Sequence, residues 1–119
     1  GRGGSIINVS SILGLRPTPG DAAYAVAKAG LAQLSGVMAL EFAPQGVRVN
    51  TLAPGYVVTG MNAAFFASPE SRRIVDRIPL GRVGQVDDLD GAILFLASRA
   101  SRFVTGSVVV VDGGHLLSL

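Results

Sequence analysis

Ser5-Ile6-Ile7-Asn8-Val9 and Val47-Arg48-Val49-Asn50-Thr51-Leu52-Ala53 are two short runs rich in β-branched residues. Between them, Ala22 to about Phe42 is rich in Ala and Leu and holds no proline. The runs read as strands and the middle segment as a helix. Two prolines and two glycines between Ser10 and Gly20 make a loop of the connection. Asp21 can cap the helix with its carboxylate, Pro44 and Gly46 end it, and Pro54-Gly55 close the second strand. Further on, Tyr56 to Gly84 is looser, with short helical pieces near Asn62–Phe66 and Glu70–Ile78. Gln85 to Ser98 reads as a second long helix, with Val86, Leu89, Ile93 and Leu96 at helical spacing. Ser107 to Val111 lacks alternation, as a strand buried on both faces would. Strand and helix alternate, which predicts an α/β fold with parallel strands and right-handed crossovers.

Of the 119 residues, 49% are hydrophobic and 15% charged, at a net charge of +2. That composition excludes disorder and allows one domain with a real core. No apolar run approaches the roughly 20 residues of a membrane span, so no membrane partner is expected. The absence of cysteine excludes a disulfide framework and a thiolate metal site, and fits a cytoplasmic protein. The pI near 9.7 is no nucleic-acid footprint: ten basic residues are scattered among eight acidic ones, and nine of the ten are arginine. The first strand has nothing to cover its outer edge, which predicts a piece of something larger or a tightly associating subunit.

Tyr24 and Lys28 lie four apart on the long helix, so both side chains leave one face, and Lys28 is the only lysine. An ammonium beside a phenol favours the phenolate, by about 3 kcal/mol at roughly 5 Å and an effective dielectric of about 20. A tyrosine so placed can exchange a proton with an alcohol or carbonyl. Ser10 and Ser11 stand at the carboxyl end of the first strand, the edge at which open α/β sheets bind ligands. Two adjacent serines also suit plain turn chemistry. Pro54-Gly55 and Thr59 follow the second strand at the same edge.

Across nearly its whole length the sequence resembles the classical short-chain dehydrogenases/reductases. The likeness rests on Ile7-Asn8-Val9-Ser10-Ser11, Tyr24-Ala25-Val26-Ala27-Lys28 and Gly46-Val47-Arg48-Val49-Asn50. It continues through Pro54-Gly55-Tyr56-Val57-Val58-Thr59, Phe95-Leu96-Ala97-Ser98, Val104-Thr105-Gly106 and Val111-Asp112-Gly113-Gly114. The resemblance implies a partial Rossmann-type, doubly wound parallel sheet containing its last three strands and their helices. It also implies NAD or NADP as cofactor and a small alcohol or carbonyl substrate of sugar-acid, polyol or 3-oxoacyl type. The family's catalytic serine lies thirteen residues before its tyrosine, which selects Ser11. Ser11 would then hold the substrate oxygen and Tyr24 would be the general acid/base. Lys28 would favour the ionised tyrosine and hold the ribose hydroxyls, with Tyr24 also at the cofactor. Pro54 and Gly55 would wall the nicotinamide pocket, while the Val57 backbone and the Thr59 hydroxyl would bond its carboxamide. Tyr56, Met61 and Phe65 fall where the family places variable residues that face substrate.

The family's glycine-rich pyrophosphate turn, its NAD/NADP-discriminating residue and its relay asparagine belong to an amino half without counterpart in this chain. Gly1-Arg2-Gly3-Gly4 precedes a strand instead of linking strand to helix, so it is not that turn. Residues 1–119 therefore read as the carboxyl half of a single nicotinamide-binding domain. The family also pairs subunits through the tyrosine-bearing helix and through its last helix and strand, which implies a homo-oligomer. The alternative is a non-catalytic, self-associating α/β fragment. His115 has no paired ligand, the acidic Asp87, Asp88 and Asp90 suit a helix start, and no metal site is expected. Arg16-Pro17-Thr18-Pro19 reads as loop.

Overall fold

In the computed structural model, which describes residues 3–119, strands β1 (Gly4–Val9), β2 (Val47–Pro54) and β3 (Val108–Val111) form one parallel sheet in the order β1-β2-β3. Gly4 pairs with Val47 and Val9 with Leu52, while Thr51 pairs with Val108 and Pro54 with Val111. Gly1 and Arg2 of the opening turn lie outside the described residues. Gly3 has φ 77°, and a Cβ there would stand 2.5 Å from the Gly46 carbonyl oxygen. That contact demands glycine.

Helix α1 (Ala22–Phe42) starts as expected, with the Asp21 carboxylate accepting from the Tyr24 N–H at 3.1 Å. It leads through a 3-10 turn to Gly46 at φ 74°. Short helices α2 (Ala63–Phe66) and α3 (Arg72–Val75) follow β2, and α4 (Asp90–Ala97) precedes β3. The piece expected over Glu70–Ile78 is thus a 3-10 turn, Pro69–Ser71, joined to α3. The long helix expected over Gln85–Ser98 is likewise shorter: a 3-10 turn, Val86–Leu89, opens into α4. Asp88 tightens that start by closing a capping box with Gln85, and extended backbone at Ser98 ends the helix.

Side chains of β1 show which faces the helices cover. Asn8 Nδ2 donates to Ser35 Oγ of α1 at 2.8 Å, and Ser5 Oγ donates to the Leu96 carbonyl of α4 at 2.6 Å. Strand residues three apart point to opposite faces, so α1 and α4 sandwich the sheet. The fold is a doubly wound α/β sheet. Strands in sequential order with helices on opposite faces require crossovers of opposite hand, so the right-handed rule holds for one connection only. The second connection, residues 55–107, is long and irregular, which frees it from the strand-to-helix twist that enforces that hand.

β2 is the buried centre, with Val49, Asn50, Thr51, Leu52 and Ala53 all below 2% exposed. β3 departs from expectation. Val108 and Val110 are 43% and 38% exposed while Val109 and Val111 are half-buried. By register, Val108 and Val110 share the α1 face with Thr51 and Ala53. α1 packs along β1 and β2 and leaves β3 uncovered there. Three side chains staple the approach to β3 onto β2. Arg48 donates to Ser101 Oγ and to the Leu96, Ser98 and Val104 carbonyls; Asn50 bonds the Val104 carbonyl and the Ser107 N–H; Thr105 Oγ1 accepts from the Val49 N–H. The Gly46–Asn50 and Val104–Gly106 segments are therefore scaffold.

Helix α1 is apolar around much of its circumference, with Val26 71% and Leu40 80% exposed. With its 3-10 extension (Ala22–Gln45) it is long and apolar enough to cross a membrane, which corrects the expectation that no segment approaches a span. Polar residues inside it, Lys28, Gln33, Ser35 and Glu41, interrupt every apolar run, yet an 18-residue stretch of it stays apolar enough for a span. In this fold its buried stripe, Ser35 and Ala39, packs on the sheet.

Candidate active site

The carboxyl ends of β1 and β2 bring the predicted residues to one edge. Ser11 is buried and caps the 3-10 turn Ile12–Gly14, its Oγ accepting from the Leu13 N–H at 3.1 Å. Ser10 has the structural job: its Oγ donates to the Lys28 carbonyl at 2.7 Å, tying the end of β1 to α1. Gly14 completes that dock, since a Cβ there would lie 2.7 Å from the Lys28 carbonyl carbon. The loop after β1 is thereby fixed against the helical turn that carries Tyr24 and Lys28.

Tyr24 is 41% exposed, and Lys28 Nζ stands 5.7 Å from its ring centroid. Lys28 Nζ also donates to the Val9 carbonyl at 3.1 Å. An ammonium has three N–H donors, so two remain for other acceptors. Ser11 and Tyr24 line one cavity of about 250 Å³ together with Ile12, Leu13, Gly55, Tyr56, Val57 and Asn62. Met61 is fully exposed outside this lining, and Phe65, 43% exposed, packs its ring on Phe66 at 5.1 Å. Pro54 and Thr59 flank the cavity in sequence without lining it.

The loop after β2 is held at both ends. Gly55 N–H donates to the Val111 carbonyl at 2.9 Å, and a Cβ on Gly55 would come within 2.6 Å of Asp112 Cβ. Asp112 in turn accepts from the Gly114 and Leu116 N–H groups, at 2.8 and 2.6 Å. Val57 bridges Gly84 in parallel, with Val58 N–H donating to the Gly84 carbonyl at 2.8 Å. Arg82 grips Asp88 with two hydrogen bonds, at 2.7 and 3.1 Å, directly after that bridge.

Asn62 is the wall residue that sequence reasoning missed. Its Oδ1 accepts from the Thr59 N–H at 2.7 Å and its Nδ2 donates to the Val57 carbonyl at 3.0 Å. The available signal was an amide side chain three residues after Thr59, a spacing at which Asn bonds nearby backbone. His115, expected in the tail, is buried, packs its ring 5.5 Å from that of Tyr56, and has an Nδ1 without a partner among the described residues. Burial pushes its pKa below the usual histidine value. No group of three metal-ligating side chains occurs among the described residues.

The Arg82 guanidinium beside Asp88 holds that carboxyl down at about 2, against an ordinary 3.8. A depressed carboxyl stabilises the fold above its unfolded value and stops doing so as pH falls to its folded value. Wild-type chain is therefore expected to lose thermal stability between about pH 4 and pH 2 more steeply than Asp88→Asn. Parallel melting curves by circular dichroism across that window are the check, and identical slopes would show that the pair contributes nothing.

The family described as enoyl-(acyl carrier protein) reductase matches residues 1–115. The chain is 46% identical over 115 residues to the 3beta-hydroxysteroid dehydrogenase 1 of Eggerthella lenta, covering 96% of this chain and 44% of that one. It is 44% identical over 118 residues to the 3-oxoacyl-[acyl-carrier-protein] reductase of Thermotoga maritima, covering 98% and 47%. Among solved structures, a gluconate 5-dehydrogenase from Burkholderia cenocepacia in complex with NADP and tartrate superposes with a TM-score of 0.89 at 41% identity, covering 96% of this chain and 45% of that one. The chain thus spans about half the length of the curated relatives it matches. It belongs to the classical short-chain dehydrogenase/reductase family.

Proposed function

We propose that this chain supplies the catalytic half of a cytoplasmic, NAD- or NADP-dependent oxidoreductase acting on a small alcohol or carbonyl. The substrate class is the one read from the sequence: sugar acid, polyol or 3-oxoacyl. The observation that carries the reading is the shared cavity of Ser11 and Tyr24, with Lys28 one helical turn behind the tyrosine.

The residues present fit a nicotinamide. Lys28 keeps two N–H donors for ribose hydroxyls, and the Val57 N–H has no protein acceptor among the described residues, leaving it for a carboxamide. Gly55 and Tyr56 supply a wall, and the Thr59 hydroxyl lies two residues beyond Val57. When bound, the nicotinamide supplies hydride transfer. Tyr24 takes the proton from the substrate hydroxyl in oxidation, or returns it in reduction. Ser11 holds that same oxygen, and Lys28 keeps positive charge beside the phenol during the transfer. Asn62 acts as a positioning residue by keeping the Val57 and Thr59 backbone in place.

The direct test is absorbance of the reduced nicotinamide with a panel of alcohols and carbonyl compounds. The full-length enzyme should turn over, and the 119-residue chain by itself should not, because half of the orienting contacts are missing. Substrate-dependent oxidation of NADH or NADPH by the isolated chain would refute the second statement. Asn62→Ala in the full-length enzyme should weaken reduced-nicotinamide binding roughly tenfold, the effect of one or two lost hydrogen bonds. Fluorescence titration reads it, and an unchanged affinity would relieve Asn62 of that role.

A further inference from the structure

We propose that the cavity of about 550 Å³ next to the candidate active site is a carboxylate subsite, in which Arg73 and Arg77 select a hydroxycarboxylate over an uncharged alcohol. The proposal rests on the oxidoreductase reading above and narrows its substrate class.

Continuity is the first support. Leu13 and Tyr56 line both this cavity and the one that holds Ser11 and Tyr24, so one ligand can lie across the two. Charge is the second. Arg73 sits on α3 and Arg77 just beyond its end, and both line this cavity. The one ion pair among the described residues joins Arg82 to Asp88, so neither of these arginines is neutralised by a carboxylate. Glu70 is the single acidic residue in the lining, and the hydrogen bonds that lower its pKa come from its own backbone and from Ser68. Arg73 and Arg77 thus outnumber Glu70 among the lining side chains, and the Leu119 main-chain oxygen at the cavity's edge is already met by Arg16 Nη1 at 3.4 Å. His115 adds no charge near neutral pH, since burial favours its neutral form. Apolar Leu13, Ile74 and Leu119 form much of the remaining surface and lower the local dielectric around the guanidinium groups. A planar guanidinium fork matches a carboxylate in two parallel hydrogen bonds, which an alcohol cannot accept. The ligand would place its carboxylate at Arg73 and Arg77 and its reacting hydroxyl at Tyr24.

The test pairs D-gluconate with its uncharged counterpart D-glucitol in the full-length enzyme. Wild type is expected to favour gluconate in kcat/KM by about tenfold or more, the size of a charge-assisted hydrogen bond. The Arg73→Gln/Arg77→Gln double variant should lose that ratio, through KM for gluconate. A wild-type ratio near one, or a ratio that survives the double substitution, overturns the subsite and leaves the oxidoreductase reading standing. Calorimetric titration with each compound decides the subsite independently of turnover. Gluconate binding that the double variant weakens by about tenfold supports it even in an enzyme that oxidises neither compound. No gluconate binding by wild type overturns it.

Discussion

Tyr24→Phe in the full-length enzyme is expected to lower turnover by roughly a thousandfold, within the usual span for a positioned acid/base group. Nicotinamide affinity should stay within a few-fold. The substitution removes one hydroxyl and keeps the ring, so packing against the cavity wall survives while the proton carrier is lost. Lys28→Ala should differ by damaging both quantities. Its ammonium stands 5.7 Å from the Tyr24 ring centroid and has two donors left after bonding the Val9 carbonyl at 3.1 Å. Removing it deprives the phenol of its neighbouring charge and the ribose of its partner at once. Steady-state kinetics with a parallel fluorescence titration separates the two patterns. Turnover near wild type in the phenylalanine variant would remove Tyr24 from the acid/base role.

The 119-residue chain by itself should associate in solution. Its accessible surface is 7504 Å², whereas a compact monomer of its mass would expose about 6100 Å². Its radius of gyration is 15.5 Å, against about 13.5 Å for a compact chain of this length. The surplus of roughly 1400 Å² on one chain exceeds the ~800 Å² that each partner buries in a standard protein–protein interface. Much of it is apolar: Val26, Leu34 and Leu40 on α1, Leu94 on α4, and Val108 and Val110 on β3 are all at least 38% exposed. β1 adds an edge whose backbone groups pair on one side only. Light scattering at micromolar concentration should give a mass of twice 12.2 kDa or more. A monomer mass with unfolding independent of concentration would defeat the expectation.

Local chemistry made much of this molecule legible in its sequence. Two β-branched runs, a proline-free Ala/Leu segment and an aspartate before it fixed β1, α1 and β2, because each element is specified by residues within a turn or two of one another. The four-residue step from Tyr24 to Lys28 set their common face before any tertiary contact was considered. Contacts distant in sequence decided the rest. Asp88, gripped by Arg82 six residues earlier, closes the capping box on Gln85 at a 3-10 first turn, a contact that helical periodicity does not encode. Exposure along β3 depends on how far α1 reaches across the sheet, and the opposite hands of the two crossovers depend on which face α4 covers. Composition alone does not separate Ser10 from Ser11, and the family spacing to Tyr24 favours the second; the fold gives the first to the Lys28 carbonyl and turns the second into a cavity with Tyr24. Asn62 and Arg73 enter the site region in the same way. Their neighbours are set by loops whose course follows from packing between elements far apart in the chain, whereas sequence pattern reports only what lies within one element.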